Sequence, residues 1–112
     1  MAIEYIKIKL NNVLIDAYKF NYGIVEPEDI TGILDDFIET VRDNKNGNVS
    51  IISGRMPVWM YIPVAHTIAH MYKAVYTYDP KLSCCICVIS HFRNLKTGER
   101  LYLPEDIEKK LL

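Results

Sequence analysis

From Ile6 to Leu10 the chain alternates hydrophobe and charge, with Lys7 and Lys9 between Ile6, Ile8 and Leu10. Period-two alternation is the pattern of a strand with one wet face. Asn11 and Asn12 tolerate positive φ, and "VLIDAYKF" follows them, so an antiparallel hairpin is predicted. After a loop at 21–25 the period changes. In "EPEDITGILDDFIETVRD" the residues Ile30, Ile33, Leu34, Phe37, Ile38 and Val41 fall on one helical face, Pro27 takes a favoured first-turn position, and acids cluster near the start. Gly32 costs this helix about 1 kcal/mol relative to alanine without breaking its pattern.

"DNKNGN" is a loop by composition, and "VSIIS" is short, apolar and β-branched, as a strand covered on both faces should be. A second helix lies between Pro57 and Tyr72. Pro63 removes one hydrogen bond from its interior, so the helix bends there or its regular part begins near that residue. "KAVYTY" then reads as a strand, "DPKLS" as a turn and "CCICVISHF" as the returning strand. The tail turns at "KTGER", adds a short strand at "LYL" and ends in a small amphipathic helix from Pro104. Strand, helix, strand with a parallel crossover, extended by antiparallel hairpins, predicts a compact α/β domain with a mixed sheet. No repeat, low-complexity segment or linker divides it, so 1–112 is expected to be one domain.

Composition narrows the function classes. A chain of 112 residues, half of them hydrophobic, has the length of one domain with a single modest core. Thirteen basic residues against 14 acidic ones give a net charge of −1, which supplies no global field for long nucleic acid; double-stranded DNA is not an expected partner. Any anionic ligand must be held locally. No apolar run approaches the roughly 18 residues of a membrane span, and the N-terminus alternates where a signal peptide would be continuously apolar. A cytoplasmic location is therefore expected. Cys84, Cys85 and Cys87 fit neither a C-x-x-C metal hook nor an intrachain disulfide, and read as small buried hydrophobes in a reducing compartment.

Candidate chemistry gathers where strands end. "VSIIS" runs into Ser53-Gly54-Arg55 just before a helix, and ligands of open α/β sheets bind outside the carboxyl ends of such strands. Unpaired helix-start N–H groups, a glycine allowing close approach and an arginine fork together favour an anion, although a loop glycine beside a surface arginine has the same sequence. His66 and His70 share a helical face at the spacing of zinc ligands, but the glutamate of H-E-x-x-H is missing and no third ligand is obvious, so spacing alone favours a structural role. Asp79 follows "KAVYTY" directly and is expected on the same rim as Gly54 and Arg55; an aspartate before proline is also an ordinary turn former. His91 closes the last hairpin strand. Trp59, Tyr61, Tyr76 and Tyr78 offer aromatic surface for bases or for the core.

In order, "ISGRMPVW", "AHTIAH", "YDPKL" and "VISH" resemble the Csx-three (Crn-three) family of type III CRISPR-associated ring nucleases, over Ile52 to His91, about a third of the chain. The resemblance implies a small Rossmann-like fold related to CRISPR-associated sensor domains. It also implies a homodimer that stacks further, into tetramers or filaments, and manganese (Mn2+)-dependent breakdown of cyclic tetra-adenylate, the messenger whose loss switches antiviral signalling off. Carried over by position, His70 and Asp79 are catalytic and Lys81 stands for the basic residue of D-P-R-L. Ser53, Gly54, Arg55 and Pro57 match the strip lining the ligand phosphates, and His91 is associated with the metal. Two departures matter. Lysine at 81 offers a point charge in place of a fork, and the strand before "SH" is one residue longer, so a bulge must absorb the extra residue if His91 is to keep its place. In the family the constellation is completed across two dimers, so His70 and Asp79 need not meet within one chain. A non-catalytic sensor of the same messenger and a metal-dependent 3′ exonuclease on linear RNA are the alternatives.

Overall fold

The computed structural model describes residues 2–112. Its elements are β1 (Ile3–Leu10), β2 (Val13–Phe20), a 3-10 turn (Pro27–Asp29), α1 (Ile30–Asn44), β3 (Val49–Gly54), α2 (Val58–Ile68), β4 (Ala74–Asp79), β5 (Cys84–Ser90), β6 (Arg100–Leu101) and α3 (Glu105–Leu111). The first hairpin closes on Asn11 and Asn12 at φ 48° and 68°, the mirror-image turn whose twist suits flanking strands. Pro27 falls in the 3-10 turn that leads into α1, where the Asp29 carboxylate accepts the Glu26 N–H at 2.9 Å.

The six strands lie in sequence order, with β2–β3 and β3–β4 parallel and the remaining pairs antiparallel. Both parallel crossovers step the same way across the sheet, so their right-handedness places α1 and α2 on one face. There they bury Tyr18, Phe20, Phe37, Ile52, Met60 and Val75 among others. The opposite face carries Ile8, Ile15, Ile51, Tyr76, Cys85 and Cys87 under Leu111 of α3 and the segment from Leu95 to Leu103. Each fully buried side chain of this kind contributes about 1.5–3 kcal/mol, so both apolar layers hold the same sheet in place. The result is one α/β domain with a mixed sheet and a small Rossmann-like layout. No helix among the described residues is long and apolar enough to cross a membrane.

Three local outcomes differ from, or sharpen, the sequence reading. Regular α2 runs straight through Pro63 but stops at Ile68, short of Tyr72. A tight turn follows, because the Tyr72 ring is drawn into the core and its hydroxyl bonds to Asp16 at 2.8 Å. The last short strand is Arg100–Leu101, paired with Ile86 and Cys85, one step before the "LYL" triplet. In the β4–β5 pair the register jumps from Val75–Ile89 to Tyr76–Cys87, leaving Val88 as the bulged residue. The strand ahead of "SH" thus carries a bulge. The bulge turns Ile89 towards the α1–α2 layer while Cys85 and Cys87 face α3. All three cysteines are free and buried, and burial pushes the Cys85 thiol up to about 12, which leaves it protonated and inert.

One buried charge organises the base of the sheet. Asp16 is 0 % exposed, and its Oδ1 accepts the Tyr5 hydroxyl at 2.8 Å. Its Oδ2 accepts the N–H groups of Asn46 (2.9 Å) and Gly47 (3.0 Å) and the Tyr72 hydroxyl (2.8 Å). Burial alone would raise this carboxyl, but the N–H groups of Asn46 and Gly47 and the hydroxyls of Tyr72 and Tyr5 outweigh it and hold it below the usual carboxylate range. Burial and the neighbouring charge push the Tyr72 and Tyr5 phenols up, and burial brings that of Tyr18 to about 12. The α1–β3 loop is thereby fastened to β2.

Candidate functional site at the strand tips

Register brings the site together. Lys19 pairs with Ser53 and Phe20 with Gly54 across β2–β3, while Ile52 pairs with Thr77 across β3–β4, so the tips of β2, β3 and β4 finish at one level. Between them opens a cleft of about 450 Å3, walled by Lys19, Phe20 and Tyr22, by Ser53, Gly54 and Arg55, and by Tyr78 and Pro80, with Leu111 and Leu112 at its floor. Gly54 makes the corner possible. It sits at φ 124°, and a Cβ there would collide with the backbone of Phe20, 2.7 Å from its nitrogen. The Tyr61 hydroxyl of α2 donates to the Gly54 carbonyl and fixes that peptide.

The cleft is lined by two cations, Lys19 and Arg55, and by no acidic side chain. By contrast, the two clefts flanking α1 are lined by Glu28, Asp29 and Asp36 and by Asp36, Glu39 and Asp43, without a basic residue. Among the described residues the one side-chain ion pair is Lys109–Glu105 at 3.9 Å; no carboxylate side chain pairs with Arg55, and the Lys19 ammonium donates to the main-chain oxygen of Leu112, the last residue of the sequence. A protein of net charge −1 therefore keeps the Arg55 guanidinium without a carboxylate partner at its strand tips.

Asp79 lies on the same rim, at the end of β4. Its Oδ1 accepts the N–H groups of Lys81 (2.9 Å) and Leu82 (3.2 Å), a side-chain turn completed by Ser83 at φ 54°. The turn sets Pro80 in the cleft wall and leaves the Asp79 and Lys81 side chains beside it. Pro57 opens α2 and does not reach the cleft.

The histidines sit elsewhere. His70 falls in the turn after α2, off the helical face of His66, and its ring stacks on His91 with centroids 5.5 Å apart and planes at 27°. Nε2 of His91 bonds to the Ala69 carbonyl at 2.6 Å. Both rings are exposed near the start of β4 and the end of β5, where Ala74 pairs with Ser90. The six residues of β4, at about 3.3 Å each, put roughly 20 Å between this pair and Asp79. No group of three or more His, Cys, Asp or Glu side chains among the described residues is placed to hold a metal ion. His70 and His91 offer two ring systems, one nitrogen already engaged.

Residues 21–102 match the sequence model of a family described as CRISPR-associated protein (Cas_csx3). The chain belongs to this family. No curated protein matches it. In this Cas_csx3 protein the matched span contains Ser53 to Arg55, His70, Asp79, Lys81 and His91, whereas β1, β2 and α3 lie outside it. Lys19 escapes a reading of the sequence because a lysine near a strand end looks like a wet face, whereas Tyr78, one of the aromatics offered for bases or for the core, stands in the cleft wall. Only the pairing of Lys19 with Ser53 reveals the lysine's place.

Proposed function

We propose that this protein is a ring nuclease that opens cyclic tetra-adenylate and so switches off type III CRISPR antiviral signalling. The observation that carries the reading is the cleft at the strand tips, lined by Lys19 and Arg55 and by no acidic side chain, in a chain whose family is CRISPR-associated. A cyclic oligonucleotide presents closely spaced phosphates, and Ser53, Gly54 and Arg55 combine a hydroxyl, close backbone approach and a guanidinium fork suited to them. Ring opening needs a phosphodiester held in line, a proton carrier and positive charge over the developing phosphorane. His70 is the proton carrier in this reading, Asp79 its catalytic carboxylate on the rim, and Lys81 the point charge beside it.

In this reading the reaction needs two copies, the rim of one dimer facing the histidine edge of another across the ligand, and the separation of His70 from Asp79 within one chain is in keeping with that. Tetramers or filaments stacked around the messenger follow from that arrangement, in the cytoplasm where the messenger is made. A divalent ion such as manganese would add charge stabilisation. Within one chain His70 and His91 are too few to hold it, so its remaining donors belong to the assembled form.

Purified protein incubated with labelled cyclic tetra-adenylate, with and without manganese, tests the reading directly. Turnover by substoichiometric protein is expected. Intact ligand at stoichiometric protein would defeat the enzyme and, if the ligand stays bound, leave a sensor; faster attack on 3′ ends of linear polyadenylated RNA would favour an exonuclease.

A further inference from the structure

The β4–β5 pairing runs one step past its last regular rung. The His91 N–H donates to the Lys73 carbonyl at 2.8 Å, so these two residues stand opposite one another just outside Ala74 and Ser90. Each meets a further ring. His70 stacks on His91, and the Lys73 ammonium lies over the ring of Phe92, 5.9 Å from its centroid. Phe92 belongs to neither apolar layer of the sheet and is 40 % exposed, yet it is not loose: the Ser90 hydroxyl accepts its N–H at 3.2 Å and donates to its carbonyl at 3.3 Å. Arg93 follows in the chain and is exposed, as are Lys73 and both histidines. Among the described residues no carboxylate side chain pairs with any of these cations or imidazoles.

We propose that the histidine edge is a nucleotide-binding surface in its own right, where the ring of Phe92 stacks on an adenine base and Lys73 holds the adjoining phosphate within reach of His70. The proposal deepens the ring-nuclease reading and rests on it. In that reading the ligand lies between the strand tips of one dimer and the histidine edge of another, and the cleft residues grip it from one side only. A histidine that carries a proton needs the reacting phosphodiester held against it from its own side. The two imidazoles do not supply that grip, since Nε2 of His91 is taken by the Ala69 carbonyl. Lys73 does, as a full charge one cross-strand step from His91. A single exposed phenylalanine is commonplace on a protein surface. Here the ring is positioned by hydrogen bonds and has a cation above it and another next in the chain, which is the pairing of stacking platform and phosphate partner that nucleotides meet on single-strand binding surfaces. Stacking accepts any base, so this edge contributes affinity and positioning and leaves base choice to the cleft.

Calorimetric titration and steady-state turnover of cyclic tetra-adenylate by the wild-type protein, Phe92→Leu, Phe92→Tyr and Lys73→Met form the test, with melting curves showing that each variant is folded. Phe92→Leu keeps an apolar side chain and loses the π face, so Kd and KM should both rise about tenfold, while Phe92→Tyr stays close to the wild type. Lys73→Met should lose about as much, roughly tenfold, with a shallower dependence on salt. In both variants kcat should stay within about threefold of the wild type, the signature of binding and positioning as opposed to proton transfer at His70. Wild-type Kd and KM in Phe92→Leu remove the base platform, in Lys73→Met the phosphate contact, and in both the whole proposal; each of these results leaves the cleft reading standing. If the wild-type protein binds the ligand without turning it over, the Kd values alone decide. Failure of the wild-type protein to bind overturns the ring-nuclease reading and this surface with it.

Discussion

Asp16 and Lys19 stand three positions apart on β2, yet the fold treats them oppositely. Asp16, at the base of the sheet, receives two backbone N–H groups and two phenols and is sealed from water. Lys19, at the rim, shares an open cleft with Arg55, and its ammonium holds the oxygen of Leu112, the last residue of the sequence. A buried charge is tolerated in a core when its whole hydrogen-bonding capacity is met, whereas a cation in an open cleft without a carboxylate partner, as Arg55 is, is accessible to a ligand. Polar groups at the base thus specify the fold, and those at the rim are the ones the proposed function uses. Substitutions at the two ends should separate stability from function.

The largest effect belongs to the base. Asp16→Ala leaves the Asn46 and Gly47 N–H groups and the Tyr72 and Tyr5 hydroxyls without their acceptor, at a cost of about 3–5 kcal/mol. Melting followed by circular dichroism should drop on the order of 15 °C. If instead the variant melts like the wild type, the base is not the organising centre described above. Next is Gly54→Ala, the one position that belongs to both functions. Positive φ and the collision with Phe20 predict about 2–4 kcal/mol of destabilisation together with impaired ligand binding, since the displaced backbone is the cleft wall itself.

At the rim the pattern should invert. Arg55→Ala removes an exposed side chain with no ion pair, so stability should stay within about 0.5 kcal/mol while messenger binding weakens roughly 10- to 100-fold. His70→Ala is its counterpart at the opposite edge. Turnover should fall by about 10²–10⁴, the range for losing a general acid or base, with binding nearly intact. Titrations and single-turnover rates on both variants separate the roles, and a reversed outcome would exchange them.

Much of this geometry is legible in the chain because it is local. Alternation at Lys7 and Lys9 marks β1, the β-branched run from Val49 marks a doubly covered strand, and two parallel crossovers force Gly54 and Asp79 onto one rim. What escapes depends on distant partners. The early end of α2 follows from a tether between Tyr72 and Asp16, 56 residues apart, and Asp16 itself looks like a wet-face residue in "VLIDAYKF". Lys19 acquires its meaning only from register with Ser53 and from the α3 terminus, 93 positions further on. The bulge at Val88 is intermediate: motif spacing calls for one, and strand pairing says which residue it is.

The smallest effect sharpens the comparison through pH. Asp16 is held below its ordinary range in the folded protein, so the unfolded chain binds its proton first as the solution is acidified. Its contribution is therefore complete above the unfolded value of about 3.9 and is lost as pH falls through the lower, native value. Asp16→Asn keeps the shape and removes the charge; its deficit in melting temperature against the wild type should be constant from neutral pH down to about 5 and then narrow on further acidification. Arg55→Ala, compared in the same way, should show no such convergence, because a guanidinium stays charged throughout this range. Parallel curves for Asp16→Asn down to the lowest pH would mean that the carboxylate charge contributes nothing, and that the hydrogen-bonded shape of the base, which asparagine partly preserves, accounts for its hold on the fold.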